Sequence, residues 1–175
     1  MILRLIESDG GEPRCHAGID LGIMASGLCP YLESRLPAPF ESCSVALSFV
    51  SNEDIMRLND MYRHVQEPTD VLSFPLWEEE GVFAPLASWS DLPLGDIVIS
   101  PEYVRENAKR VGAGYEGELA LVIIHGFLHL IGFDHDTDER EREMWEIQEK
   151  LRDDYLASTR RPRARREYLG GLMLE

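Results

Sequence analysis

Hydrophobic and polar residues alternate weakly over Met1 to Glu7, which predicts a strand. Asp20 to Leu36 carries apolar residues at mixed helical spacing. Pro30 is expected to kink or divide a helix there, and Pro37 and Pro39 end the segment. Val45 to Val50 reads as a second strand. Ser51 offers an N-cap, supported by Asp54 three residues on, and Ile55, Leu58 and Tyr62 give the following helix one apolar face. Val71 to Phe74 is a short strand between Pro68 and Pro75. Leu76 to Leu94 is acidic, contains proline and lacks a period, and reads as a surface loop.

Gly95 to Ser100 predicts a buried strand. Ser100-Pro101 then starts a helix reaching about Val111, with proline at its first position. After Gly112 and Gly114, the segment from Glu116 to Ile131 is apolar nearly all round, the pattern of a helix inside the core, and Gly132 ends it. Thr137 caps a last, highly charged helix that reaches about Leu151. Few strands among several helices make an α+β domain.

A chain of 175 residues with 44% apolar content supports one core and leaves little for a second. Met1 to Glu7 is too short and charged for a secretory signal. The longest uncharged run, Leu119 to Phe133, is shorter than a membrane span and contains two histidines. These features predict a soluble protein inside the cell. Cys15, Cys29 and Cys43 form no CxxC pair and read as small apolar residues in a reducing compartment. A net charge of −15 opposes general nucleic-acid binding but permits a local cationic site. Arginines 160, 161, 163, 165 and 166 crowd near the C-terminus against that trend.

The candidate chemistry lies in HGFLHLIGFDH, which holds three of the chain's five histidines. His125 and His129, four apart on a helix, share one face. Gly132 lets the chain turn back, so His135 can close a three-nitrogen metal site. Three protein ligands leave one position open, as in catalytic zinc. The spacing follows the long zinc-protease signature except that Gly126 stands where the general-base glutamate belongs. Glu118 and Glu143 are the alternative carboxylates. A structural zinc instead needs a fourth ligand from His64, Asp134 or a cysteine. Asp134 suits either orientation of a ligand ring or a simple turn. In the stretch from Leu58 to Pro75, Arg63 ends a helix, where it can meet a phosphate or stand solvated. Thr69, Asp70 and Ser73 suit substrate binding or local backbone bonding, and His64 reads as exposed.

Two motifs carry a resemblance. The first is LNxxYR…PTDVLSFP: Leu58, Asn59, Tyr62, Arg63, then Pro68 through Pro75. The second is HGxLHLxGxDH: His125, Gly126, Leu128, His129, Leu130, Gly132, Asp134 and His135. With the strand LGDIVIS from Leu94 to Ser100 between them, the chain resembles the YbeY family of bacterial metal-dependent endoribonucleases over roughly Met1 to Leu151. The resemblance implies a single α+β domain with a small mixed sheet flanked by helices. It implies one zinc ion on His125, His129 and His135, and Arg63 as the catalytic or phosphate-binding group. It further implies single-stranded ribosomal RNA as substrate, ribosome or small-subunit proteins as partners, and a cytoplasmic location. The domain is expected over residues 1–157. Residues 158–175 form a basic tail, either mobile or an arm touching RNA or the ribosome.

Three functions compete: a metal-dependent endoribonuclease of ribosomal RNA precursors, a zinc hydrolase of peptidase type, and a non-enzymatic ribosome-assembly factor with structural zinc. A carboxylate base at the metal marks the second, and a fourth protein ligand marks the third. Imidazole suits zinc and nickel alike.

Overall fold

The computed structural model describes residues 1–7, 18–37, 40–79, 82–85 and 91–160. Cys15, and the basic residues from 161 onward, lie outside them. In chain order the elements are β1 (Ile2–Glu7), α1 (Leu21–Arg35), β2 (Ser42–Phe49), α2 (Asn52–Arg63), β3 (Val71–Pro75), β4 (Glu78–Glu79), β5 (Val82–Phe83), β6 (Asp91–Ile99), α3 (Pro101–Val111), α4 (Tyr115–Leu130) and α5 (Asp138–Arg160). The α+β expectation holds. A four-stranded mixed sheet runs β1-β2-β6-β3, with β1, β2 and β6 parallel and β3 antiparallel at the edge.

Four differences from the sequence reading have physical causes. Helix α1 passes through Pro30 undivided. The carbonyl that loses its donor belongs to Ser26, which is exposed and open to water, while Met24, Ala25, Leu28 and Leu32 keep the inner face apolar. Tyr62 does not join the buried face of α2. That helix packs on the sheet mainly through Ile55, which meets Leu72 and Val98 with Leu58 alongside, and Tyr62 lies at the margin, 60% exposed with its ring edge-on to Phe74 at 4.9 Å. The segment read as a loop contains the β4–β5 hairpin and the first four residues of β6. Pro93 enters β6 beside a bulge, where the register against β2 shifts between Ser44 and Val45 and Leu94 is the extra residue. Helix α5 continues nine residues past Leu151, to Arg160, because Tyr155 is also buried and its hydroxyl accepts the Asp20 N–H at 2.9 Å.

The predicted caps are present. Ser51 accepts the Asp54 N–H and Thr137 the Arg140 N–H. Ser100, fully buried, accepts the Tyr103 N–H and donates to Asn52 Oδ1 at 2.6 Å, while its own N–H bonds the Asp70 carbonyl. One residue thus ties the start of α3 to α2 and to the turn before β3.

Helix α4 is the centre of the core. Its Leu119, Ala120, Ile123, Ile124, Phe127, Leu128 and Leu130 are completely buried. Each large apolar side chain contributes about 1.5–3 kcal/mol on burial, so packing rather than helix propensity holds α4 in place. One side of α4 lies on β3 and β6, and α3 and α5 pack against the others. At Gly126 the helix lies tight against the sheet. A Cβ there would come within 2.9 Å of Ile97 Cγ2 and 3.2 Å of Ser73 Oγ.

Gly126→Ala is therefore expected to lower stability by about 1–3 kcal/mol through overpacking. Denaturant unfolding reads this directly, and unchanged stability would contradict the tight seat of α4.

Candidate metal centre

A quarter turn around α4 from Gly126, His125 and His129 stand one helical turn apart. Their Nε2 atoms face each other at 3.1 Å. The chain leaves α4 through Ile131 and Gly132. Gly132 adopts φ +83°, a left-handed conformation that favours glycine, and an added Cβ there would also meet Phe83 Cβ at 2.9 Å. This turn carries His135 back over the helix end. Its ring centroid lies 6.0 Å from that of His125 and 5.2 Å from that of His129. One ring nitrogen from each histidine falls within 4.8 Å of the other two.

The donor set fits a metal cation. His125 Nδ1 lies 3.0 Å from Oε1 of the buried Gln148. With the proton on Nδ1, the Nε2 lone pair points inward. His129 hydrogen-bonds the backbone of Phe133. Two ring nitrogens facing at 3.1 Å are close to the tetrahedral edge of about 3.3 Å implied by Zn–N distances of about 2.0–2.1 Å. Burial pushes His125 below its ordinary pKa, aided by His135 and Arg63 and opposed by Gln148 and Asp70. Burial, His125 and His135 push His129 down to about 4. Both rings are therefore neutral at pH 7, the form that binds metal.

The other expected residues divide into those that meet this centre and those that do not. Arg63 ends α2 with its side chain exposed, and its charge acts on His125, as does that of Asp70. Asp70 Oδ1 accepts the Thr69 hydroxyl and the Val71 N–H, so Thr69 and Asp70 form a self-bonded turn at the start of β3. Ser73 packs beneath α4 at Gly126. Asp134 Oδ1 accepts the backbone N–H of its neighbour His135. His64 caps α2 in the left-handed region, at φ 58°, and is exposed.

Among the described residues, no fourth His, Cys, Asp or Glu joins the three histidines. Cys43 is buried beside Met1, and Cys29 also bonds Met1. The position after the first histidine has no room for a side chain, which removes the glutamate of the zinc-protease signature on steric grounds. Glu143 is exposed on α5. Glu118 is half-buried two turns before His125. Burial raises its pKa, with Asp70 and Glu149 adding to the rise and Arg152 opposing it.

Sequence reasoning missed Gln148. It sits in a charged helix with no local signal of burial, although its spacing of four from Met144 places both on the inner face of α5.

Comparison with known proteins agrees with this geometry. The family profile for Endoribonuclease YbeY matches residues 31–156. Endoribonuclease YbeY of Bacillus pumilus is 44% identical over 117 residues, covering 66% of this chain and 74% of that protein. Endoribonuclease YbeY of Caldanaerobacter subterraneus is 43% identical over 137 residues, covering 73% and 87%. Among solved structures, the solution structure of TM1509 from Thermotoga maritima matches with a TM-score of 0.56 at 30% identity, covering 90% of this chain and 91% of that one. With a two-motif sequence, a mixed sheet beneath α4 and a matched stretch that includes the whole three-histidine centre, this chain belongs to the YbeY endoribonuclease family.

Proposed function

We propose that this chain is a zinc-dependent endoribonuclease that cuts single-stranded ribosomal RNA in the cytoplasm, in maturation and quality control of the ribosome, alongside ribosomal or small-subunit proteins. The observation that carries the metal reading is the pair of Nε2 atoms facing at 3.1 Å, with Gln148 and Phe133 bonded to the two rings. His125, His129 and His135 are the ligands, one ion per chain. When bound, the ion supplies a Lewis acid beside a phosphodiester and acidifies water.

The chain's own residues do the rest. Burial keeps His125 and His129 unprotonated, so neither ring must lose a proton to bind metal at pH 7. Arg63 holds a permanent charge with bidentate donors suited to a phosphate. Its exposure at the end of α2 and its influence on His125 support a role in which it pairs with the non-bridging oxygens as negative charge develops on phosphorus. Asp70, already accepting two bonds, fixes the turn that starts β3. Ser73 sets the depth of α4 on that strand. Attack by water and attack by the ribose 2′-hydroxyl leave different product ends, and end analysis separates them.

The net charge of −15 limits RNA contact to this local cationic site and to the basic residues near the C-terminus. No single helix among the described residues is long and apolar enough to cross a membrane.

His129→Ala is expected to drop bound zinc from one per chain toward zero and to abolish metal-dependent cleavage. Metal analysis showing one firmly held zinc in that variant would overturn the three-histidine site. Arg63→Ala should keep its fold and zinc yet cleave RNA about 100- to 1,000-fold more slowly. Parental rates would return Arg63 to the ordinary solvated surface. The metal-free protein should lose stability as pH falls from about 6.5 through about 4. Over that range the unfolded chain takes up a proton at residue 129 that the folded chain resists, because the folded pKa is lowered to about 4. Above pH 6.5 this group has no effect. The acid-side loss should shrink in His129→Ala, and an identical pH profile in that variant would refute a buried neutral imidazole.

A further inference from the structure

We infer that Gln148 is a positioning residue for the metal centre, holding His125 in the one tautomer and ring angle that turns its Nε2 toward the ion. This rests on the metal reading above.

Gln148 lies on α5, 23 residues from His125, and its side chain is 3% exposed. A buried amide with no partner is costly, so its presence in the seam between α4 and α5 needs an acceptor or donor opposite. The partner is His125 Nδ1, at 3.0 Å from the amide oxygen. Metal binding needs Nε2 unprotonated, which puts the ring proton on Nδ1, and the amide oxygen that faces it is the acceptor for that N–H. The reverse tautomer would put a proton on Nε2, directed at His129 Nε2 only 3.1 Å away, where the ion belongs. The contact also fixes the ring plane. His125 and His129 stand at 79° to each other, an arrangement that a freely turning imidazole would not keep.

Helix α5 is well suited to hold the amide still. Met144 and Leu151 flank Gln148 on the same inner face and are nearly fully buried, and Tyr155 anchors the far end to Asp20. The charged exterior of α5 therefore hides one polar group that reaches the metal centre through another residue. Gln148 itself touches neither the ion nor the substrate.

The test is zinc affinity, measured by competition with a chelator of known strength, in the parent, Gln148→Leu and Gln148→Glu, with thermal melting of each metal-free protein as the control for folding. Gln148→Leu fills the same space without an acceptor and should weaken zinc binding about 10- to 100-fold. Gln148→Glu restores an acceptor oxygen at the same reach and should bind within a few-fold of the parent or more tightly. Parental affinity in Gln148→Leu would overturn the inference. So would an equal loss in both variants, which would assign the effect to packing of α5. A melting point lowered in Gln148→Leu while its zinc affinity is kept would likewise reduce Gln148 to a packing role. If the parent protein itself takes up no zinc, the metal reading fails first, and that result is distinct from either outcome for Gln148.

Discussion

Everything in the site depends on how closely α4 lies on the sheet. Gly126 allows the helix backbone to approach Ile97 and Ser73 so closely that even a methyl group would push on them. That seat fixes the rotation of α4, and the rotation decides where the next residues point. With Gly126 against the sheet, His125 and His129 turn toward the space between the β3 edge and α5. Arg63 approaches there from the end of α2, and Gln148 from α5. The same glycine sits where a zinc protease needs its general base. One steric constraint thus seats the two histidines and leaves no glutamate at the position where the zinc-protease signature carries its base.

Electrostatics then suit the centre to an anionic substrate. The chain is strongly acidic overall, yet the charges that act on His125 include the permanent cation of Arg63 together with the anion of Asp70, and His125 and His129 are themselves neutral imidazoles. Burial is the largest cause of that neutrality at both His125 and His129. A divalent ion held by neutral nitrogen ligands would keep its full charge, and on the proposed reading Arg63 would add to it. A phosphodiester gaining charge in its transition state would be stabilised by both.

Features set by local periodicity were legible in the sequence. The spacing of His125 and His129, the left-handed turn at Gly132, and the caps at Ser51, Ser100 and Thr137 follow from a few neighbouring residues. Features that depend on distant partners were not. Pro93 looked incompatible with a strand because its bulge exists only against Ser44 and Val45 of β2. Tyr62 continued an apolar stripe that the sheet covers only in part, through the edge-on ring of Phe74. The run of α5 beyond Leu151 makes sense only once Asp20 is there to meet Tyr155. Pro30 seemed a breaker because sequence does not show that the carbonyl it frees faces water. Gln148 was hidden among charges, since its reason for being buried lies 23 residues away in His125.

The central claim is that three histidines on and after α4 hold the ion with which this chain cuts RNA. The most direct measurement is to strip the purified protein of metal, titrate zinc back, and follow cleavage of a single-stranded ribosomal RNA fragment. No cleavage is expected without metal, then a rise in proportion to zinc added and saturation at one zinc per chain. Cleavage that survives complete removal of metal, or a fully loaded protein that never cuts, would contradict it.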